Sequence, residues 1–302
     1  MKTGRILFTA GEEMYYAFIV NPIAGSGYAN RVMDRLKEYL CSKHLSFKVF
    51  PTEHPSHATE LAKMFSTDDE AEIVFSVGGD GTAYETACGL AGTDKKMGII
   101  PAGTGNDFIK STDIPRSPIE AMEFAVAHPA KSTDIGRVND KFFLNVCGTG
   151  FDVTVLDYTL KLKKRFRGLL PYFLALLKAI FHYSPVNLSL TVDGEKKDGS
   201  YLICSIANGR FFGGGIPICP SAAIDDGKLD LILIQNVPRW KIPFYLPGLM
   251  MGKDLSFRIT EHLRSEKIEM SAEHMRVNID GEVLSMNSVT FEIRPKSIML
   301  IR

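Results

Sequence analysis

Several signatures by which chemistry is usually recognised are missing from this 302-residue sequence. The five cysteines, Cys41, Cys88, Cys147, Cys204 and Cys219, form no C-x-x-C pair. Their scatter speaks against a zinc ribbon or a disulfide framework and suits reduced, mostly buried thiols in the cytoplasm. The seven histidines show no metal-ligand spacing. His54 and His57 are three apart but flank Pro55, which breaks the helix that such a pair needs. Net charge is also absent, with Lys plus Arg and Asp plus Glu at 35 each. No global field draws the chain to nucleic acid, and no nucleic-acid partner is expected. The most apolar stretch, residues 169–183, contains Lys178 and falls short of the roughly 20 residues that span a bilayer. Met1 to Glu13 carries Lys2, Arg5, Glu12 and Glu13 and is too polar for a signal-peptide core. The expectation is a soluble or peripheral protein, cytoplasmic or resting on the inner face of the membrane. Neither G-x-x-x-x-G-K-[ST] nor G-x-G-x-x-G occurs, so a P-loop NTPase and a hydride-transfer enzyme find no support.

What is present is a change of rhythm along the chain. Runs at residues 16–20, 47–50, 73–77 and 97–100 read as strands, those at 16–20 and 73–77 as buried ones. Between them, 3.6-residue periodicity predicts helices at Ala29 to Leu45, around Ala58 to Phe65 with Ser56 as cap, and at Thr82 to Leu90. Ser117-Pro118-Ile119-Glu120 reads as a capping box opening another helix. Alternating strands and helices predict an α/β domain with a parallel sheet over residues 1–131, completed by a C-terminal strand at 293–302. The remainder, 132–292, is expected to be a mainly antiparallel β-sandwich or distorted barrel. Its strands are read at 186–192, 201–206, 229–234, 275–279 and 289–293, with a further strand at 298–301 and one helical interruption near Arg165 to Phe181.

Three strands of the first half lead into glycine-rich loops: Asn21-Pro22-Ile23-Ala24-Gly25-Ser26-Gly27, Gly78-Gly79-Asp80-Gly81-Thr82, and Pro101-Ala102-Gly103-Thr104-Gly105-Asn106-Asp107. In a parallel sheet the carboxyl ends of the strands share one edge, so the three loops can converge on one crevice. Glycine admits close backbone approach, and helix starts favour phosphate. Any one loop alone is equally well an ordinary tight turn.

Together these runs resemble the catalytic domain of diacylglycerol kinases and soluble bacterial lipid kinases, relatives of the sphingosine and ceramide kinases. The resemblance continues through Ala207-Asn208-Gly209, Gly213-Gly214-Gly215, Pro220, Asp225-Asp226-Gly227-Lys228-Leu229 and Asp280-Gly281-Glu282, and so covers about residues 16 to 300. It implies an ATP-dependent lipid kinase using Mg²⁺, with diacylglycerol the leading acceptor. Nucleotide contacts would come from Asn21, Pro22, Ala24, Gly25, Thr52, Gly78, Gly79, Asp80, Gly81, Thr82, Gly103 and Thr104. Asp80 would serve the phosphate–metal end. Asp107 and Asp134 match carboxylates of the cleft, Asp134 also standing with the metal set. Asp226 would bind a structural Mg²⁺, helped by backbone oxygens near Ala223 and Lys228. Glu282 would be the general base, with Asp280 beside it in the catalytic turn. Two positions depart from the pattern: Tyr84 stands where Asn is usual, and Lys110 replaces Arg, trading a bidentate fork for a point charge.

From the residues alone, Asp280-Gly281-Glu282 is also a standard hairpin turn, and a second D-G-E occurs at Asp193-Gly194-Glu195. Composition does not separate the copies; the resemblance selects residues 280–282. Adjacent Asp225 and Asp226 likewise suit a hard cation or a plain turn. Lys161, Lys163, Lys164, Arg165 and Arg167 precede the apolar run Leu169 to Leu177. That pattern suits peripheral membrane contact through 161–177, and equally a core helix with a solvated basic start. Other readings stay open: a sphingoid base, ceramide or another long-chain alcohol as acceptor, an NAD-kinase-like enzyme, or a catalytically silent nucleotide- or lipid-binding protein. The sequence leaves the oligomeric state undecided, a homodimer being one expectation.

Overall fold

The computed structural model describes residues 14–163, 170–253 and 258–302. The first part alternates β1 (Tyr15–Val20), α1 (Ala24–Ser42), β2 (Phe47–Pro51), α2 (His57–Phe65), β3 (Ala71–Gly78), α3 (Asp80–Leu90), β4 (Lys96–Pro101) and α4 (Pro118–Ala127). The chain continues as β5 (Ala130–Val138), β6 (Lys141–Phe143), β7 (Val146–Gly150), α5 (Phe151–Lys163) and α6 (Leu170–His182). After these come β8 (Val186–Val192), β9 (Glu195–Ala207), β10 (Leu229–Gln235), α7 (Ile242–Met250), β11 (Thr260–Ser265), β12 (Lys267–Ile279) and β13 (Glu282–Ile301).

β4, β3, β1 and β2 pair in parallel in that order, joined by crossover helices; β4, β3 and β1 are apolar runs buried on both faces, while β2 is the half-buried edge strand. Phe18 and Phe75 stack at 4.8 Å on adjacent strands and are fully buried. In the second part, β7 pairs β9 and β12, while β8 pairs the other halves of the same two strands. Four strands therefore close a circuit around a core holding Leu188, Leu190, Cys204, Met270 and Val277. β10 and β11 extend the sheet from β9.

One strand ties the two parts together. β13 runs antiparallel to β12 at its start and parallel to β4 at its end, with β5 alongside. The sequence suggests two strands here, split by Pro295-Lys296-Ser297. The structure keeps one strand with an irregularity between Arg294 and Ile298, where Lys296 has φ 53°. The buried carboxylate of Asp134 makes that bulge tolerable. It accepts the Lys296 N–H at 2.8 Å on one oxygen and the Gly227 N–H at 2.7 Å on the other.

Other local readings change for similar reasons. Ser56 does not cap α2; it adopts φ 68°, and Glu85 of α3 accepts the Ser56 and Ala58 N–H groups at 3.0 and 3.2 Å. Ser117 stands before α4 in extended conformation without a side-chain cap bond, so no capping box forms. The regular turns of α1 begin after Gly27, because Gly25, Ser26 and Gly27 are left-handed, and the helix stops at Ser42 rather than Leu45. Instead of one helical interruption there are two, α5 and α6. The side chains that α5 packs into the core, Phe151, Val155, Tyr158 and Leu162, keep a helical spacing interrupted by polar Asp152, Thr154 and Asp157. α7 is hidden in the sequence by Pro243 and Pro247, although Pro243 sits in the first turn where its missing N–H costs nothing.

Asp134→Ala removes the acceptor of the part-buried Lys296 and Gly227 N–H groups. Unfolding in urea should show a loss of about 3 kcal/mol; a loss under about 1 kcal/mol would mean the bulge does not depend on this carboxylate.

Candidate active site

The site begins with the three glycine loops, which touch one another. Gly25, at φ 57°, lies so close to Ala102 that a β-carbon would stand 2.5 Å from the Ala102 carbonyl oxygen. Gly79 and Gly103 meet backbone to backbone, a β-carbon on Gly103 falling 2.3 Å from the Gly79 α-carbon. Asn106 holds the third loop in shape by bonding both the N–H and the carbonyl of Gly103 at 3.1 Å. Thr52 joins the same edge, its N–H donating to Val20 O at 2.8 Å. The crevice therefore has a floor of closely packed backbone and the N-terminus of α3 aimed into it.

Asp80 opens α3 and accepts the Phe108 N–H at 2.9 Å. Burial raises its pKa first, with the neighbouring Asp107 adding to the effect and Lys110 opposing it. Asp107 spans the two parts of the molecule. Its Oδ1 accepts from Lys110 Nζ at 2.6 Å and its Oδ2 from the Gly214 N–H at 2.7 Å. Lys110 thus serves as a point charge against one buried carboxylate oxygen, a task that needs no bidentate fork.

The opposite wall is the turn between β12 and β13. Asp280 accepts the N–H groups of Leu144, Asn145 and Val146 at 2.5, 3.1 and 2.9 Å. Burial pushes its carboxyl up to about 6 against the pull of these three donors, with Asp80 also raising it. Both oxygens of Asp280 are occupied, so its part is to position the turn. Glu282 begins β13, is exposed, and pairs with Lys141 at 3.2 Å. Tyr84 stands one helical turn beyond Asp80. Its hydroxyl is shifted upward by burial, then by Cys88, then by Asp280 and Glu282. Tyr84 thus feels both acids of the β12–β13 turn, and Asp280 feels Asp80.

The expected metal-binding residues behave differently. Asp134 is buried, and each of its oxygens accepts one N–H, from the β13 bulge and from the Gly227 turn, so it joins those two segments. Asp226 is paired with Arg264 and also accepts the Lys228 N–H at 3.0 Å. A cation held there by Asp226 and backbone oxygens near Ala223 and Lys228 would have to displace a guanidinium; the fit is poor. The fit is better at Asp80, where two neighbouring carboxylates are buried and a β-carbon on Gly105 would lie 3.1 Å from Asp80 Oδ2. Two other groupings appear only in three dimensions: His54 with His57 and Glu60, and Cys219 with Asp230 and His262.

Sequence reasoning passed over Lys141 and Asn145, and met Asn208 only within the family resemblance, with no role drawn from its own chemistry. Asn145 binds Phe211 O at 2.7 Å, and Asn208 binds Leu144 O at 2.8 Å, clamping the segment before the Gly213 turn onto β6 and β7. Their own Oδ1 atoms are buried without a hydrogen-bond partner among the described residues. A polar residue immediately before a glycine in an otherwise apolar strand end, as in Ala207-Asn208-Gly209, is the signal that could have found Asn208. A cavity of about 640 Å³ lies elsewhere, on β8, β9 and β12 around Asn187, Asp198 and Ser271, and holds none of these groups.

Residues 15–138 match the diacylglycerol kinase catalytic domain, and residues 145–302 match the YegS C-terminal NAD kinase beta sandwich-like domain. The chain belongs to the diacylglycerol kinase and YegS family of lipid kinases. A probable YegS-like lipid kinase of Yersinia enterocolitica is 33% identical over 75% of this chain and 77% of its own length. A diacylglycerol kinase of Mycobacterium tuberculosis is 29% identical over 76% of this chain and 77% of its own. A solved structure from Bacillus anthracis, assigned to the diacylglycerol kinases, shares the fold with a TM-score of 0.80 at 24% identity, covering 97% of this chain and 96% of that one. The enzyme is therefore a lipid kinase, and membership of a kinase family implies ATP as cosubstrate.

Because folding raises its pKa, Asp280 favours the folded state at low pH. That contribution is complete below about pH 4 and is lost as pH rises through about 6. A carboxyl ¹³C NMR titration should give Asp280 a midpoint near 6; a midpoint below about 4 would mean that the three N–H donors outweigh burial.

Proposed function

We propose that this lipid kinase transfers the γ-phosphoryl group of ATP to the free hydroxyl of diacylglycerol, giving phosphatidic acid and ADP. The observation that supports the reading is that the glycine loops at Gly25, Gly79 and Gly103 pack together beside Asp80, while Asp280 and Glu282 act on Tyr84, one helical turn beyond Asp80. The packed glycine backbone of Gly25, Gly79 and Gly103 takes the phosphates, with Asn21, Thr52, Thr82 and Thr104 at the same edge. Mg²⁺, when bound beside Asp80, supplies charge neutralisation at the phosphates.

Phosphoryl transfer asks mainly for positioning and electrostatics. The acceptor is a plain alcohol whose proton must leave as the new P–O bond forms. Glu282 orients that hydroxyl and takes the proton, while the bond from phosphorus to the leaving oxygen of ADP breaks. Asp280 serves indirectly by fixing the turn, and Asp107 by holding the Gly213–Gly215 turn over the phosphate end. Diacylglycerol is favoured among the acceptors by the naming of the Mycobacterium tuberculosis relative.

ADP release with Mg²⁺ and ATP, measured in mixed micelles against diacylglycerol, a sphingoid base, ceramide and NAD, tests the assignment. Diacylglycerol should give the strongest signal, and Glu282→Gln should lower kcat by about 10²–10⁴-fold with little change in the KM for ATP. Asp80→Asn should abolish activity. A signal with NAD alone, or a fully active Glu282→Gln enzyme, would overturn this mechanism.

A further inference from the structure

Large apolar side chains are not spread evenly over the surface. Of the twelve that are exposed among the described residues, seven lie on α5, α6, α7 and the 3-10 turn Arg239–Lys241 that opens α7, and an eighth, Met251, directly follows α7. Phe181 is 68% exposed, Trp240 67% and Phe244 77%, and Met250 and Met251 are exposed at the far, C-terminal end of α7. The two helices present one face. Arg239 donates to Tyr183 O at 2.7 Å, tying the 3-10 turn to the end of α6. The inward residues Ala175 and Ala179 of α6 and Ile242 and Leu249 of α7 share a single core, so their outward sides lie together.

Charge follows the same division. The chain is neutral overall, yet residues 158–192 and 231–253 contain no Asp or Glu. The described cations there include Lys161, Lys178, Arg239 and Lys241, the last stacked over the Trp240 ring at 5.3 Å. The face also adjoins the catalytic cleft. The loop that gives its Gly214 N–H to Asp107 continues to Pro217 and Pro220, which lie against Gly252 just past α7.

We propose that the α6–α7 face docks on an anionic bilayer, with Trp240 and Phe244 inserted at the headgroup–acyl boundary. Exposed aromatics flanked only by cations suit that boundary, where the ring is half solvated and the positive charge meets lipid phosphates. A second copy of the chain is a poorer occupant, because a two-fold contact would set this face against itself and bring like charges together. The contact therefore differs from one confined to residues 161–177. Lys164, Arg165, Arg167 and Leu169 of that segment lie outside the described residues, and Ala175 faces the core. The proposal rests on the lipid-kinase reading only for its purpose: the surface delivers the cleft to a substrate held in the membrane.

Trp240 is the single tryptophan of the chain, so its fluorescence reports on this face alone. With vesicles of phosphatidylglycerol and phosphatidylcholine, emission should shift to the blue and be quenched by brominated acyl chains; pure phosphatidylcholine should give far less. Phe244→Ala, and separately Lys178→Glu with Lys241→Glu, should weaken vesicle sedimentation by about tenfold. Both should keep full activity on short-chain diacylglycerol dispersed in detergent. Unchanged Trp240 emission with anionic vesicles would overturn the proposal, as would undiminished sedimentation of both variants. So would a concentration-dependent blue shift and dimer mass without lipid, which would assign the face to a second copy. Failure of the wild type on dispersed diacylglycerol would sink the acceptor assignment while leaving the fluorescence result standing.

Discussion

The architecture turns on buried backbone donors that must find acceptors. Leu144, Asn145 and Val146 present three successive N–H groups inside the molecule, and the Asp280 carboxylate answers all three. A buried donor left unpaired costs as much as a lost hydrogen bond, so this arrangement holds the β12–β13 turn against the β6–β7 connection. Glu282, two residues on, is carried to the cleft by that anchorage. A freely moving turn would supply the same carboxylate without fixing where it stands.

Asp107 and Asp134 use the same device at other seams. Asp107 takes Lys110 from its own side and the Gly214 N–H from the β-rich part, so one carboxylate fastens the glycine turn to the first part. Asp134 joins the Gly227 turn to the bulge in β13, the strand that belongs to both sheets. Electrostatics and topology are therefore not separate features here. Buried acids, each satisfied largely by backbone, register two differently built sheets against each other, and the cleft is the gap that remains between them.

The departures from the family pattern fit this environment. Tyr84 fills a half-buried position facing Cys88 and the acidic turn, contributing a ring and a hydroxyl where a smaller amide is usual. Lys110 needs to reach one carboxylate oxygen only, and its ammonium does so at 2.6 Å. A larger demand falls on the lipid side. A neutral chain has no general attraction to a membrane, so the docking proposed for the α6–α7 face rests on its local cations and aromatics.

By itself the sequence determined the alternation of strands and helices in the first part, because burial on both faces of a parallel sheet leaves near-continuous apolar runs. It also marked the glycine loops and the strict alternation of β8. It could not rank the two D-G-E turns. Asp193-Gly194 and Asp280-Gly281 both adopt positive φ in two-residue hairpins, as the local residues dictate. Only the tertiary structure separated them. Asp193 lies in a solvated corner, accepting from Ser265, Glu266 and Lys267, whereas Asp280 is buried against a second strand connection and an adjoining active-site helix. Local sequence sets the shape of a turn, but its surroundings come from segments about seventy to well over a hundred residues away, and those surroundings decide what the Asp of the turn holds in place.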